Sequence, residues 1–376
     1  MRREVVVTGI GLVSCAGEGV EAHLVALADG RPARVDAETF APFPVHPAAA
    51  LDYDRQIPKK SDQRQMEAWQ RLGTYAAGLA LDAAGTKADA ALKSRMHLIV
   101  AAGGGERDYA ADGAILTGLR GAEDPGVFLN ERLMGDLRPT LFLAQLSNLL
   151  AGNIAIVHGV TGASRTFMGE EQAGVDALRI AQARIASGQN DMFLVGGAYN
   201  AERPDVLLVY EMGGYLWKDA VRPVRERPAR GGGFVLGSGA CFLVLEAREH
   251  AEARGAAPLA ALAGVASGRS RRGPGDVTRS LAGLAAELGA RPDAVVSGMT
   301  GVAGITEDEE EALRGLAPGA RLHATGDLVG HAMEAQAPIG AALAAALIAR
   351  GEAGEALVTS VGHRRGEGAV RLVKAG

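Results

Sequence analysis

Cysteine is nearly absent from this sequence: only Cys15 and Cys241 occur in 376 residues. Both sit in apolar, glycine-rich surroundings. That excludes a disulfide framework, implies a reducing compartment, and reads each thiol as a small core residue, not a nucleophile. Aromatic residues make up only 4 % of the chain. A basic excess is also missing. The net charge is −5 with both signs interspersed, so no polyanion-binding face exists and nucleic acid is excluded as a partner. No apolar run approaches the length of a membrane span. The opening "MRREVVVTGIG" carries two arginines but too short an apolar stretch for a signal peptide. The expectation is a cytoplasmic protein without a membrane span. No His/Cys spacing points to zinc, and no metal is expected.

What is present is ordinary globular composition, 48 % hydrophobic and 22 % charged, with 52 glycines. Glycine and alanine in this abundance permit helices and sheets to pack closely. Short apolar runs end in glycine or small residues: 5–11, 98–105, 192–198, 294–301 and 357–362, and 241–246, "CFLVLE", reads as another buried strand. Between them lie small-residue helical patterns such as "VDALRIAQARIASG" and "PIGAALAAALIARG". This alternation predicts an α/β protein with buried sheets. A weak internal similarity divides the chain into two related halves, 1–250 and 251–376. Two motifs are decoys. "VVVTGIGLVS" places Ser14 where a dinucleotide fingerprint needs its third glycine. "ITEDEEEAL" is acidic, but it reads as a helix start with Thr306 as N-cap and Glu309 closing a capping box.

One stretch is unusual. "TFMGEEQAG" sets Glu170 and Glu171 where a strand turns into a helix. Enzymes often place a nucleophile at such a turn.

Four segments in order, "VVVTGIGLVSCAGEG", 147–198, 232–256 and 326–351, resemble the β-ketoacyl-(acyl carrier protein) synthases. The resemblance covers nearly the whole chain. It implies a thiolase-like fold: two pseudo-symmetric halves in five layers, α-β-α-β-α, the first carrying the nucleophile elbow and the second the histidine motifs. The family's chemistry uses a cysteine at the elbow and two histidines. By the resemblance, the cysteine position falls on Glu171, the first histidine on Met299 and the second on His331. A family lysine becomes Gly326, and its acidic partner corresponds to Glu310. The gating loop becomes "VGHRRGEG", so His363, Arg364 and Arg365 are candidates for the substrate side of the site, with Phe167 and Met168 before the elbow.

A carboxylate at a helix N-terminus is well placed electrostatically, but it forms no thioester. Methionine donates no hydrogen bond to an enolate. The resemblance therefore implies a subunit inactive alone, like the chain-length factors, which pair with an active ketosynthase paralogue and shape its acyl tunnel. Acyl carrier protein and an acyl chain are the other expected partners. No cofactor belongs to the chain itself, because 4'-phosphopantetheine arrives on the carrier. Phe142, Leu146, Leu149 and Phe167 are the expected tunnel-wall residues, with Ala144 a small position whose enlargement shortens the product. The segment "RTFMGEEQAG" further resembles the paired synthases that build very-long-chain fatty acids for lipid A, with the paired synthases of aryl-polyene pathways the nearest competitor. The alternative is an enzyme in its own right, a malonyl-carrier decarboxylase or atypical synthase using Glu171 and His331.

Overall fold

The computed structural model describes residues 2–30, 34–137 and 140–376. Ten strands form the body of one mixed sheet: β1 (Val5–Ser14), β2 (His97–Ala102), β3 (Ser164–Phe167), β4 (Met192–Tyr199), β5 (Gly239–Ala247), β6 (Ala260–Gly268), β7 (Ala294–Ser297), β8 (Arg321–Ala324), β9 (Glu355–Val361) and β10 (Glu367–Val373). The strand order is β8-β7-β9-β10-β6-β1-β5-β4-β2-β3. From the β1–β6 junction outward, each side runs first, fifth, fourth, second, third strand in chain order. The directions repeat too: antiparallel, antiparallel, parallel, parallel. The two sides meet at a short antiparallel junction, Val6 opposite Ala261 and Val7 opposite Ala260.

Helices complete five layers. On the outside of the first side lie α1 (Ala68–Ala83) and α2 (Leu149–His158). In the middle lies α3 (Glu171–Ala186). On the outside of the second side lie α4 (Asp276–Leu288) and α5 (Ile305–Leu316). The middle layer is completed by α6 (Gln336–Ala349). α1 packs on β1, β5 and β4; α4 packs on β6 and β10; α3 and α6 touch each other and strands of both sides. A helix covered all round needs no polar face, and residues 336–348 of α6 are all buried. Its alanines carry little bulk, so α3 comes close. A Cβ at Gly174 would stand 2.6 Å from the Glu334 carbonyl and 2.7 Å from Pro338 Cδ.

The apolar runs all lie in or overlap strands, but four strands escape the apolar-run pattern: β3, β6, β8 and β10. β6 reads "AALAGVASG" and has weak β-propensity. It is a strand because β1 and β10 pair with it on either side. The start of α5 also differs from expectation. Gly304 is the N-cap, its N–H donates to Glu307 Oε2 (2.6 Å), and Thr306 Oγ1 accepts instead from Gly301 N–H (2.9 Å).

Candidate functional site

β3 is an edge strand, and the turn after it is tight. Gly169 has φ +137° and Glu170 φ +58° with ψ −137°. Glycine takes such values freely. For a glutamate they are strained, and strain of this kind persists only where the surroundings enforce it. Here they do: Arg364 Nη2 donates to Glu170 Oε1 (3.1 Å), and the Tyr210 hydroxyl lies 3.4 Å from the same oxygen. α3 then begins at Glu171, whose side chain turns inward and is buried.

Glu171 Oε1 collects three donors. His331 Nε2 lies at 2.8 Å, His363 Nδ1 at 2.9 Å and the His363 backbone N–H at 3.2 Å. A carboxylate only accepts, so each imidazole points an N–H at it. Burial pushes the Glu171 pKa upward, but hydrogen bonds and charge from the two histidines outweigh burial and hold it well below the usual carboxylate range. The opposite ring nitrogens, His331 Nδ1 and His363 Nε2, have no hydrogen-bond partner. His363 Nε2 faces Glu170 at 3.7 Å. Three aromatic side chains gather here. Phe234 stacks on His331 at 5.0 Å between centroids. Tyr210, Tyr215 and Phe234 stand edge-on to His363.

Of the positions expected from the sequence, Glu171, His331 and His363 thus converge, and Arg364 sits above them on Glu170. Met168 is exposed and lines a second cavity of about 540 Å³ with Gln172, Asp176, Arg269 and Arg365. Phe167 is half-buried against the main core. Met299 does not join the site. Side chains alternate beyond the end of β7, so Met299 shares the outer face with Val295 and packs with Val224 and Leu313. The inward position is Gly298, where a Cβ would run 3.1 Å from Gln336 Cγ. Gln336 occupies that space and hydrogen-bonds Thr325 Oγ1 and the Ala332 N–H. Glu310 and its neighbour Glu309 point in opposite directions. Glu310 pairs with Arg225 at the surface. Glu309 turns inward and accepts from the Ser297 and Thr359 hydroxyls (2.6 Å each).

Three residues that matter escaped the sequence reading. Arg272 donates to the carbonyls of Gly362 (2.6 Å) and Gly366 (3.0 Å) and pairs with buried Glu367, pinning the loop that carries His363. Glu334 is buried beside the elbow, with Oε2 unpartnered. Burial and the nearby charges of Glu171 and Glu170 push its pKa up to about 7. Tyr199, also buried, has an unpartnered hydroxyl. The signal for Glu334 was there: one acid inside the otherwise uncharged "HAMEAQAPIGAALAAAL".

No thiol reaches this site. Cys15 S–H points at Leu328 O and Cys241 S–H at Pro338 O. Burial pushes the Cys15 pKa up to about 11 and that of Cys241 upward as well. Glu170, Glu171 and His363 could jointly offer ligand atoms to a cation. Their hydrogen bonds to one another and the Arg364 ion pair already balance those groups. Chemically the arrangement holds one carboxylate against two imidazoles and has no thiol beside them.

The family model "Beta-ketoacyl synthase, N-terminal domain" matches residues 2–251. Among curated relatives, the 3-oxoacyl-[acyl-carrier-protein] synthase 2 of Vibrio harveyi is 29 % identical over 275 residues, covering 70 % of this chain and 62 % of the relative. That of Rhizobium meliloti is 28 % identical over 279 residues, covering 68 % and 61 %. The matched part of the chain spans about three-fifths of the length of these relatives. Two solved structures share the fold over 100 % of both chains: the ishigamide ketosynthase/chain length factor (TM-score 0.83, 22 % identity) and a β-ketoacyl synthase from Burkholderia phymatum STM815 (TM-score 0.82, 21 % identity).

Proposed function

The chain belongs to the β-ketoacyl synthase family, and from that premise we propose that it is a non-condensing subunit that pairs with an active ketosynthase and shapes its acyl tunnel. One observation carries the reading. Glu171, at the elbow position where relatives hold the acyl-accepting cysteine, gives its carboxylate to His331, His363 and the His363 N–H. The donors that would serve a reacting acyl group are therefore taken by the chain's own side chain. A carboxylate cannot replace the thiolate in a thioester, and it repels a malonyl carboxylate brought beside it. The finer reading is pairing in fatty acid synthesis, with very-long-chain products for lipid A, and acyl carrier protein delivering the chain on its phosphopantetheine.

The surface supports pairing. β3 has no partner strand on its outer edge among the described residues. Large apolar side chains also lie exposed: Ile156 on α2, which touches β3, and Leu116, Met134, Phe142 and Met212 elsewhere on the surface. An open edge and exposed apolar residues of this kind mark an interaction surface. Co-expression with a cysteine-containing ketosynthase tests the reading. The expected result is co-elution as a heterodimer, a product length that depends on this chain, and no acyl adduct on it by intact mass. A partner that makes full-length product equally well without this chain overturns it. Slow malonyl decarboxylation by the isolated chain, lost in Glu171→Ala, would establish the enzymatic alternative.

A further inference from the structure

A cavity of about 500 Å³ lies away from Glu171, between the helix Gly19–Asp29, the segment 221–227, β8 and the turn at 326–328. It shares no lining residue with the Glu171 cluster. Most of its wall is apolar, with Ala26, Leu27, Val221, Pro223 and Leu328 among the lining residues. Arg227 and His46 are set into this wall, and each is 1 % exposed.

Both carry an unsatisfied atom. Arg227 Nε donates to the Arg222 carbonyl (2.9 Å), but Nη2 has no partner. Among the described residues no carboxylate lies within ion-pair distance of it. Burial lowers its pKa to about 10, with Asp327 the opposing charge. His46 Nδ1 donates to the Arg34 carbonyl (2.8 Å), which leaves Nε2 a bare, unpartnered lone pair. Burial lowers the His46 pKa to about 4, so this ring is neutral. Asp327 accepts from the Val224 N–H (2.7 Å) and is itself shifted upward by burial. Arg222 lines the same cavity and is more exposed.

A buried guanidinium without a counter-ion is expensive to keep, and buried polar atoms without partners are few enough to need a reason. Cavities of this size with apolar walls and a few polar groups are the usual form of small-molecule sites. We infer that this cavity binds an amphiphilic monocarboxylate, its carboxylate on Arg227 and its apolar body along the Ala26–Leu27–Leu328 wall. The charge pattern selects the class. His46 is neutral and offers a lone pair, so it gives an anion no second donor. Asp327 adds negative charge when ionised. Both features disfavour a phosphate dianion. The other two polar groups of the lining do not reverse this: Arg222 is half-exposed and already faces Glu226 at 4.0 Å, and His323, whose Nε2 is unpartnered, is held further from charge by burial. The inference does not rest on the pairing proposal.

Calorimetry on the full chain at pH 7.5 with octanoate and, separately, inorganic phosphate tests it. Octanoate should bind at one site per chain and phosphate should not compete. Arg227→Met should weaken octanoate at least about tenfold, the scale of a lost charge-assisted bond. Ala26→Phe fills the cavity without touching Arg227 and should abolish binding. It decides the matter alone if Arg227→Met does not fold. Three results overturn the inference: no octanoate binding to the unmodified chain, equal binding to the cavity variants (which would place the ligand in an acyl tunnel elsewhere), or displacement of octanoate by phosphate.

Discussion

Glu171 and Glu334 are both buried, yet their environments push them in opposite directions. Glu171 has two imidazole donors and is held low. Its folded pKa lies below the unfolded value of about 4.3. Its contribution to stability is thus present above about pH 4.3 and lost as pH falls toward the folded value. Urea midpoints measured from pH 7 down to pH 3 should fall less steeply for Glu171→Gln than for the unmodified chain. Glu334 has no such donors and is raised to about 7. The sign reverses: its favourable contribution exists below about pH 4.3 and is lost as pH climbs through 7. Glu334→Gln keeps the shape and removes the charge. It should stabilise the protein at pH 8 by an amount on the order of 1–3 kcal/mol and change little at pH 4, checked by urea denaturation at the two pH values. Equal effects at both would show that Glu334 is not a desolvated acid.

Helices show the same dependence on surroundings. Gly174 in α3 and Gly283 in α4 are both helical glycines. Propensity alone predicts that alanine stabilises either by about 1 kcal/mol. At Gly283 nothing lies within 4 Å of the added Cβ, so Gly283→Ala should do so. At Gly174 the added methyl meets the Glu334 carbonyl and Pro338, which are fixed by α6. Gly174→Ala should therefore destabilise by about 1–3 kcal/mol, the range for overpacking. Thermal and urea melts of the pair compare the two directly. Opposite signs are the expected result, and a stabilising Gly174→Ala would mean that α3 and α6 are less tightly apposed. A similar conflict made β6 illegible: a run of alanine, glycine and serine reads as neither helix nor strand until two neighbours supply its hydrogen bonds.

For the whole molecule, the exposed apolar residues are the part that its own fold does not explain. Phe142 is 67 % exposed and Ile156 73 % exposed, the latter on α2, which touches β3. Neither supports the core, so Phe142→Glu with Ile156→Glu should leave the melting temperature of the isolated chain within a degree or two. The same pair should weaken co-elution with a ketosynthase partner by about tenfold or more, as expected for anchors at an interface. Unchanged co-elution would move the pairing surface elsewhere. Ala144, expected at the tunnel wall, is buried against the chain's own Gly105. Enlarging it to tryptophan would overpack this chain, which makes it a poor probe of product length. Phe142 is the better probe.

Much of the candidate site was legible because it depends on neighbours in sequence. A β-strand, a glycine and an acid before a small-residue helix define the elbow, and apolar runs ending in glycine define an α/β protein with buried sheets. The absence of a thiol at residue 171 follows from reading one letter. What local order could not supply was the meeting of layers. Glu171 finds His331 across 160 positions and His363 across 192, because α3 lies in the middle layer, packed against strands from both halves of the chain. Met299 packs outward and Gly298 lies against Gln336 because strand alternation, not motif spacing, decides which residue faces α6. Glu334 becomes a desolvated acid, and Arg227 an unpaired buried cation, only once packing excludes water from them. Sequence patterns specify where a backbone turns; burial and long-range pairing depend on which surfaces the completed fold closes together.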